Sequence, residues 1–227
     1  MAPLLEKYKD PLPIPGIIRP VGTKKGQPYY ELEMTEFSQN LHSDMGDTRL
    51  WGYAGSYPGP IIEAHEDNPI FVRWINKLPH EHFLPIDMTI HGAMDNPEVR
   101  TVVHLHGLNV KPESDGFPDS WFTPGHSALY YYPNKQQACT LWYHDHAIGI
   151  TRLNVYAGLS GMYYIRDRNE KKLNLPCGEY EIPLVIQDRD FNDDGSLSYP
   201  APNIGGVQPS IIPGFFGSYA LVNGKVW

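Results

Sequence analysis

Proline and glycine punctuate this chain from end to end, 22 and 21 of them among 227 residues, and long stretches with apolar residues at helical spacing are missing. Pro removes a backbone donor and Gly costs extra conformational entropy, so a chain interrupted this often is built from short strands joined by turns. Alternation points the same way. Over residues 29–36, Tyr30, Leu32 and Met34 fall on one face and Glu31, Glu33 and Thr35 on the other, the period-two pattern of a half-buried strand. Similar runs recur at 60–64, 70–75, 101–110, 138–143, 161–165 and 182–187, which predicts an all-β sandwich or barrel. One short helix is expected between residues 146 and 158, where Ile150, Leu153, Val155 and Tyr156 recur at rough helical spacing without proline.

The length and an apolar fraction of 41% suit one full core. The stretch RDRNEKKLNLPCGEY, residues 166–180, concentrates charge after the last strand of that unit. The expected organisation is a first domain over residues 1–170, a linker over 171–180, and the incomplete start of a second domain over 181–227, too short to bury a sandwich core of its own. Left incomplete, that second unit would expose a sheet edge and the apolar Ile211, Ile212, Phe215 and Phe216.

Charge excludes two classes of partner. With 18 Lys and Arg against 26 Asp and Glu, a net charge of −8 and no basic run, the chain lacks the footprint of a nucleic-acid binder or a polybasic membrane anchor. The longest uncharged run, residues 196–224, contains Pro200, Pro202, Pro209 and Pro213 and reads as loop, not membrane helix. The opening MAPLLEKYKD lacks the pattern of a secretory signal, and two cysteines are too few for a disulfide framework; a reducing compartment without classical export is expected.

Two His-x-His pairs stand out, His104 with His106 in VVHLHG and His144 with His146 in WYHDHA. Residues two apart on a strand point to the same face, about 6.5–7 Å apart along the backbone, so each pair can chelate one metal or reach two neighbouring metals. Two pairs on adjacent strands would aim four imidazoles into one space, a donor set that suits zinc, copper, iron or nickel. Thr101, Val103 and Leu105, like Leu141 and Tyr143, form the largely apolar opposite faces. A single pair on a solvated face would call for no metal; the repetition favours one. His42, His65, His80, His82, His91 and His126 lie singly or in turn-like contexts and read as surface or hydrogen-bonded structural residues. A cupin-like site does not fit, because the next glutamate after the first pair is Glu113, too far along the chain. Asp145 should point away from its histidine neighbours and act by orienting them, and Trp142 shares their parity and reads as core packing or as a wall beside them.

The segments TVVHLHGLNV, SDGFPDSWFTPG and LWYHDHAIGITRLNVYAGLSGMYYI resemble the first cupredoxin domain of the multicopper oxidases, in particular the bacterial spore-coat laccases and bilirubin-oxidase-like proteins. The likeness continues through LPIPGIIRP, TRLWGYAGSYPGPIIEA and HFLPIDMTIHG to LVNGKVW, which resembles the early part of a second cupredoxin domain. It implies a cupredoxin-like Greek-key sandwich or barrel followed by the incomplete start of another. It also implies that His104 binds a type 2 copper and that His106, His144 and His146 bind a type 3 pair, half the ligands of a trinuclear cluster. Such a cluster couples one-electron oxidation of phenolic-type substrates to four-electron reduction of O2 to water. Asp115 in SDGFPDSW resembles an acidic residue near the cluster that aids proton delivery, although a turn-forming role before Gly116 accounts for it equally well.

The family's other ligand segments, His-x-x-His-x-His and His-Cys-His, do not occur in this sequence. Neither Cys139, between Ala138 and Thr140, nor Cys177, between Pro176 and Gly178, has the neighbours of a type 1 copper ligand. The chain is therefore expected to need a complementary C-terminal chain or domains, and not to act as a laccase alone. The resemblance with the missing signal places it in the cytoplasm or a spore coat. Two rivals remain open at this point: a non-catalytic copper-binding or structural protein of spore-coat type, and a mononuclear zinc or iron protein using all four histidines.

Overall fold

The computed structural model describes residues 3–94, 96–200 and 215–226. Twelve strands are present among the described residues: β1 (Gly22–Lys24), β2 (Gln27–Gln39), β3 (Thr48–Tyr53), β4 (Gly59–His65), β5 (Ile70–Asn76), β6 (Val103–His106), β7 (Ser127–Tyr132), β8 (Cys139–Asp145), β9 (Ser160–Arg166), β10 (Ile186–Arg189), β11 (Tyr219–Val222) and β12 (Lys225–Val226). Among the described residues one α-helix, α1 (Thr151–Ala157), is present, and it joins β8 to β9. The first sheet runs β1-β2-β5-β7 with β3 also paired to β2, and the second runs β4-β9-β8-β6. The β2–β5 and β4–β9 pairs are parallel, whereas β5–β7, β6–β8 and β8–β9 are antiparallel.

The alternation read in residues 29–36 is the packing of β2: Tyr30, Leu32 and Met34 are buried and Glu31 is exposed. Rings from the two sheets meet between them. Tyr53 and Trp74 of the first sheet lie 5.0 and 5.2 Å from Tyr143 of the second, and Tyr132 lies 6.0 Å from Tyr163. Each large side chain buried this way contributes about 1.5–3 kcal/mol, so these contacts hold the sandwich closed. Gly161 on β9 is required by this packing, because a Cβ there would overlap the Tyr143 ring.

Three of the expected runs need correction. The run at 101–110 yields only the four residues of β6, because Gly107 adopts φ +89° and Leu108 turns back to the Leu105 carbonyl. The helix expected between residues 146 and 158 is present over Thr151–Ala157, beginning after Gly149 at φ +76°. The run at 182–187 pairs only from Ile186, with Pro183 unable to donate to a ladder. The run at 196–224 is not loop throughout: its end forms β11, while much of its proline-rich part, with Ile211 and Ile212, lies outside the described residues. Strands β3 and β7 carry no clear alternation and were not anticipated from the sequence.

Strands β10, β11 and β12 form a small third sheet. Its inner face joins the core of the sandwich through Phe191, Tyr219, Leu221 and Val226. The buried Arg189 guanidinium sits 5.4 and 4.6 Å from the Tyr57 and Tyr156 rings, and Tyr57 donates to Gln187 at 2.7 Å. The outer side keeps Ile182, Leu184 and Ile186 exposed. Phe215 packs on Tyr156 and Tyr199, whereas Phe216 is exposed as expected. Two short 3-10 turns, Glu170–Leu173 and Gly178–Tyr180, occupy the connection before this sheet, which Arg166 ties to β9 through Glu170 and Glu181.

Candidate metal centre

Antiparallel register decides what the two His-x-His pairs can do together. On β6 and β8, His104 lies opposite His144 and His106 opposite Trp142, while Val103, Leu105 and Tyr143 turn into the core. The four imidazoles therefore share one face. His104 is 5.4, 5.6 and 5.1 Å from His106, His144 and His146 between ring centroids, and His144 is 5.6 Å from both His106 and His146. Trp142 stacks on His144 at 4.0 Å and lies at 5.6 Å from His106, remaining 40% exposed, so it is a wall of this cluster and not a core residue.

Hydrogen bonds fix which nitrogens are free. His104 Nδ1 donates to the Asp115 carbonyl at 2.6 Å, and His144 Nδ1 donates to the Asp145 carbonyl at 2.7 Å, which leaves the Nε2 lone pair of each available. His106 Nδ1 faces His144 Nε2 at 3.4 Å. Two nitrogens sharing one metal through bonds of about 2.0 Å sit at about this separation. His146 Nδ1 is buried without a hydrogen-bond partner among the described residues, so hydrogen bonding to them does not account for the position of that ring. Burial holds His144 down to about 4, with the neighbouring histidines adding to the effect, and burial likewise lowers His146. Both are neutral near pH 7, the form that binds metal.

These donors fit a metal, and imidazole nitrogen suits copper. Among the described residues no group of three or more His, Cys, Asp or Glu side chains is arranged to hold one ion alone. The arrangement supplies partial ligand sets instead of a closed cage, which counts against one zinc or iron held by all four imidazoles.

Asp115 reaches this site from the loop after β6. Its carboxylate lies 3.4 Å from His104 Nδ1, and Gly116 at φ +76° lets that loop lie against Val103, where a Cβ would overlap the backbone. Asp145 is fully buried on the core side, as its parity required. One carboxylate oxygen accepts the Val102 N–H at 3.0 Å and the other accepts from Ala147 at 3.1 Å and from the Asn154 amide at 2.9 Å. Burial outweighs these donors and pushes its carboxyl up to about 7. Asn154 gave no signal in the sequence, because nothing local marks an asparagine on a short helix as the partner of a strand residue.

The remaining histidines stay apart from the cluster. His65, His80, His91 and His126 are exposed. His42 is buried and hydrogen-bonded to the Glu6 carbonyl and the Asp44 N–H, and His82 is buried against Trp51. Cys139 and Cys177 are both free.

A family model described as "Multicopper oxidase" matches residues 37–99 and 86–170 of this chain. A protein named "Laccase" from Bacillus subtilis (strain 168) is 50% identical over 98% of this chain and 46% of its own length. Another "Laccase", from Haloferax volcanii, is 46% identical over 100% of this chain and 41% of its own length. Among solved structures, a laccase from Pediococcus acidilactici superposes with a TM-score of 0.77 at 27% identity, covering 99% of this chain and 43% of that one. The chain thus spans about half the length of the curated relatives it matches.

Proposed function

Since the chain belongs to the multicopper oxidase family, we propose that it is the N-terminal, copper-binding portion of a laccase-like oxidase. The observation that carries this reading is the face shared by four imidazoles, with His106 Nδ1 and His144 Nε2 at 3.4 Å. His104 would hold a type 2 copper through Nε2, and His106, His144 and His146 would hold a type 3 pair. Copper bound there supplies the one-electron chemistry by which O2 is reduced to water at the expense of a phenolic-type substrate.

The chain's own groups prepare the site for that chemistry. Neutral imidazoles add no charge, and backbone carbonyls orient two of the four rings. Asp115 is one-third exposed, so its carboxylate can take a proton from solvent and hold it beside His104. Tyr143, Val103 and Leu105 close the opposite side of the sheet against water.

The other ligands and the entry point for electrons come from a complementary C-terminal region, in the same polypeptide or in a second one. Strands β10–β12 are proposed to open a second cupredoxin unit over residues 181–227, whose continuation covers the exposed Ile182, Leu184 and Ile186. Native mass spectrometry of the chain together with a polypeptide carrying the remaining ligands tests this directly. A complex holding several coppers and oxidising a phenol is expected. The double substitution His104→Ala and His146→Ala is expected to remove that copper while the sandwich stays folded, and unchanged copper content would sink the assignment.

A further inference from the structure

A buried chain of hydrogen bonds runs behind the four imidazoles, on the core side of β8. Asn154 is fully buried on α1 and gives its Nδ2 hydrogens to Asp145 Oδ2 at 2.9 Å and to the Arg100 carbonyl at 3.1 Å. Those partners fix the orientation of the amide and leave Oδ1 to accept from His82 Nε2 at 3.1 Å. His82 Nδ1 in turn accepts the Leu84 N–H at 2.9 Å, so one neutral tautomer, with its proton on Nε2, satisfies both ring nitrogens. The His82 backbone N–H is itself tied to Glu98 at 2.7 Å, and its ring lies 4.1 Å from Trp51. Turning the amide over would set oxygen against oxygen at Asp145 and the Arg100 carbonyl and nitrogen hydrogens against the His82 donor.

This chain ends on the carboxylate that spaces the two His-x-His pairs. Asp145 accepts from Val102, two residues before His104, and from Ala147, the residue after His146. The Val102 carbonyl closes the same loop by accepting the His146 N–H at 2.8 Å. A carboxylate free to rotate would give up one or both of these backbone donors and let the end of β8 shift against β6.

We propose that His82 is a positioning residue for the four-imidazole site, acting through the Asn154 amide and the Asp145 carboxylate. It rests on the reading of those imidazoles as copper ligands, and it adds a residue outside the His-x-His pairs, 22 positions before His104 in the sequence. His82 touches no ligand; it holds the group that holds the ligands' backbone.

Two substitutions separate positioning from packing. His82→Phe keeps the aromatic contact with Trp51 and loses the donor, whereas His82→Gln loses the ring and keeps an amide donor near the place of Nε2. Titration of each purified chain with Cu(II) alone is expected to show affinity reduced about ten-fold for His82→Phe, the low end of the loss that follows removal of a metal ligand's direct partner because His82 acts through two intervening groups, and nearly unchanged for His82→Gln. The imidazole 15N resonances of His144 and His146 should move in the first variant and not in the second. The reverse order of the two variants overturns the proposal and makes His82 a packing residue. If the unsubstituted chain binds no Cu(II), the copper reading of the isolated chain fails; the 15N resonances then decide the positioning separately, and unmoved resonances in His82→Phe reject it. Should His82→Phe not fold, Asn154→Leu breaks the chain at its middle, and parent-like resonances and affinity in that variant reject it equally.

Discussion

At the scale of single residues, burial sets the ionisation of the groups behind the four imidazoles. His82 is 9% exposed, and that burial lowers its pKa from 6.5 to about 4. The groups facing it are the Asn154 amide, the Leu84 N–H, Arg49, whose charge lowers it further, and Glu36, which opposes that effect. In an unfolded chain the imidazole titrates near its ordinary value, so unfolding takes up a proton once the pH falls below that value. The stability tied to neutral His82 is fully present above pH 6.5 and is lost as the pH falls toward 4, to a total of about 3 kcal/mol. Denaturant unfolding between pH 7 and 4 should therefore show a steeper decline for the unsubstituted chain than for His82→Gln. Parallel declines would mean that the histidine stays solvated enough to protonate in place. His144, held low by the same cause, titrates in both proteins and cancels from the difference.

At the scale of elements, the site depends on β8 being clamped between β6 and β9. Tyr143 sends its ring into the core while its neighbours His144 and Trp142 face the cluster, and the ring packs closely against Gly161 of β9 with its hydroxyl donating to the Pro60 carbonyl at 2.6 Å. A methyl group at residue 161 has nowhere to go. Gly161→Ala is expected to cost about 1–3 kcal/mol through overpacking, seen as a fall in Tm of about 2–4 °C for each kcal/mol. Gly16→Ala is the control, because a Cβ there meets no atom within 4 Å and its melting temperature should stay near that of the parent. Equal melting temperatures for both variants would show that β8 can retreat from β9, and with it the histidines from one another.

At the scale of the whole molecule, the third sheet is fastened to the sandwich by the apolar contacts of Phe191, Tyr219, Leu221 and Val226 and, at the end of β10, by Arg189. Its guanidinium is buried between Tyr57 and Tyr156 and donates to the Val155 and Asp188 carbonyls, while no carboxylate among the described residues pairs with it. Removing a desolvated cation from two aromatic faces costs about 2 kcal/mol or more. For Arg189→Ala, hydrogen exchange should quicken at Gln187 and Leu221 while β8 and β9 keep their protection. Loss of protection everywhere at once would mean that the two parts unfold as one cooperative unit.

The period-two pattern of Tyr30, Leu32 and Met34, the prolines and glycines between strands, and the spacing of His104, His106, His144 and His146 were legible from the sequence because each is local. A neighbour two residues away on a strand faces the same side whatever the rest of the fold does. The parity of Asp145 followed from the same rule. What a strand pairs with is a different matter: that His104 lies opposite His144, that Trp142 leans on the His144 ring, and that Asp115 comes back to His104 depend on register and on the turn at Gly116. His82 and Asn154 are further still from being readable, since 72 residues separate the donor from its acceptor. The sequence by itself determined which side chains could share a face. Only the tertiary structure decided which of them meet, because a hydrogen bond between distant residues leaves no periodic mark on either segment.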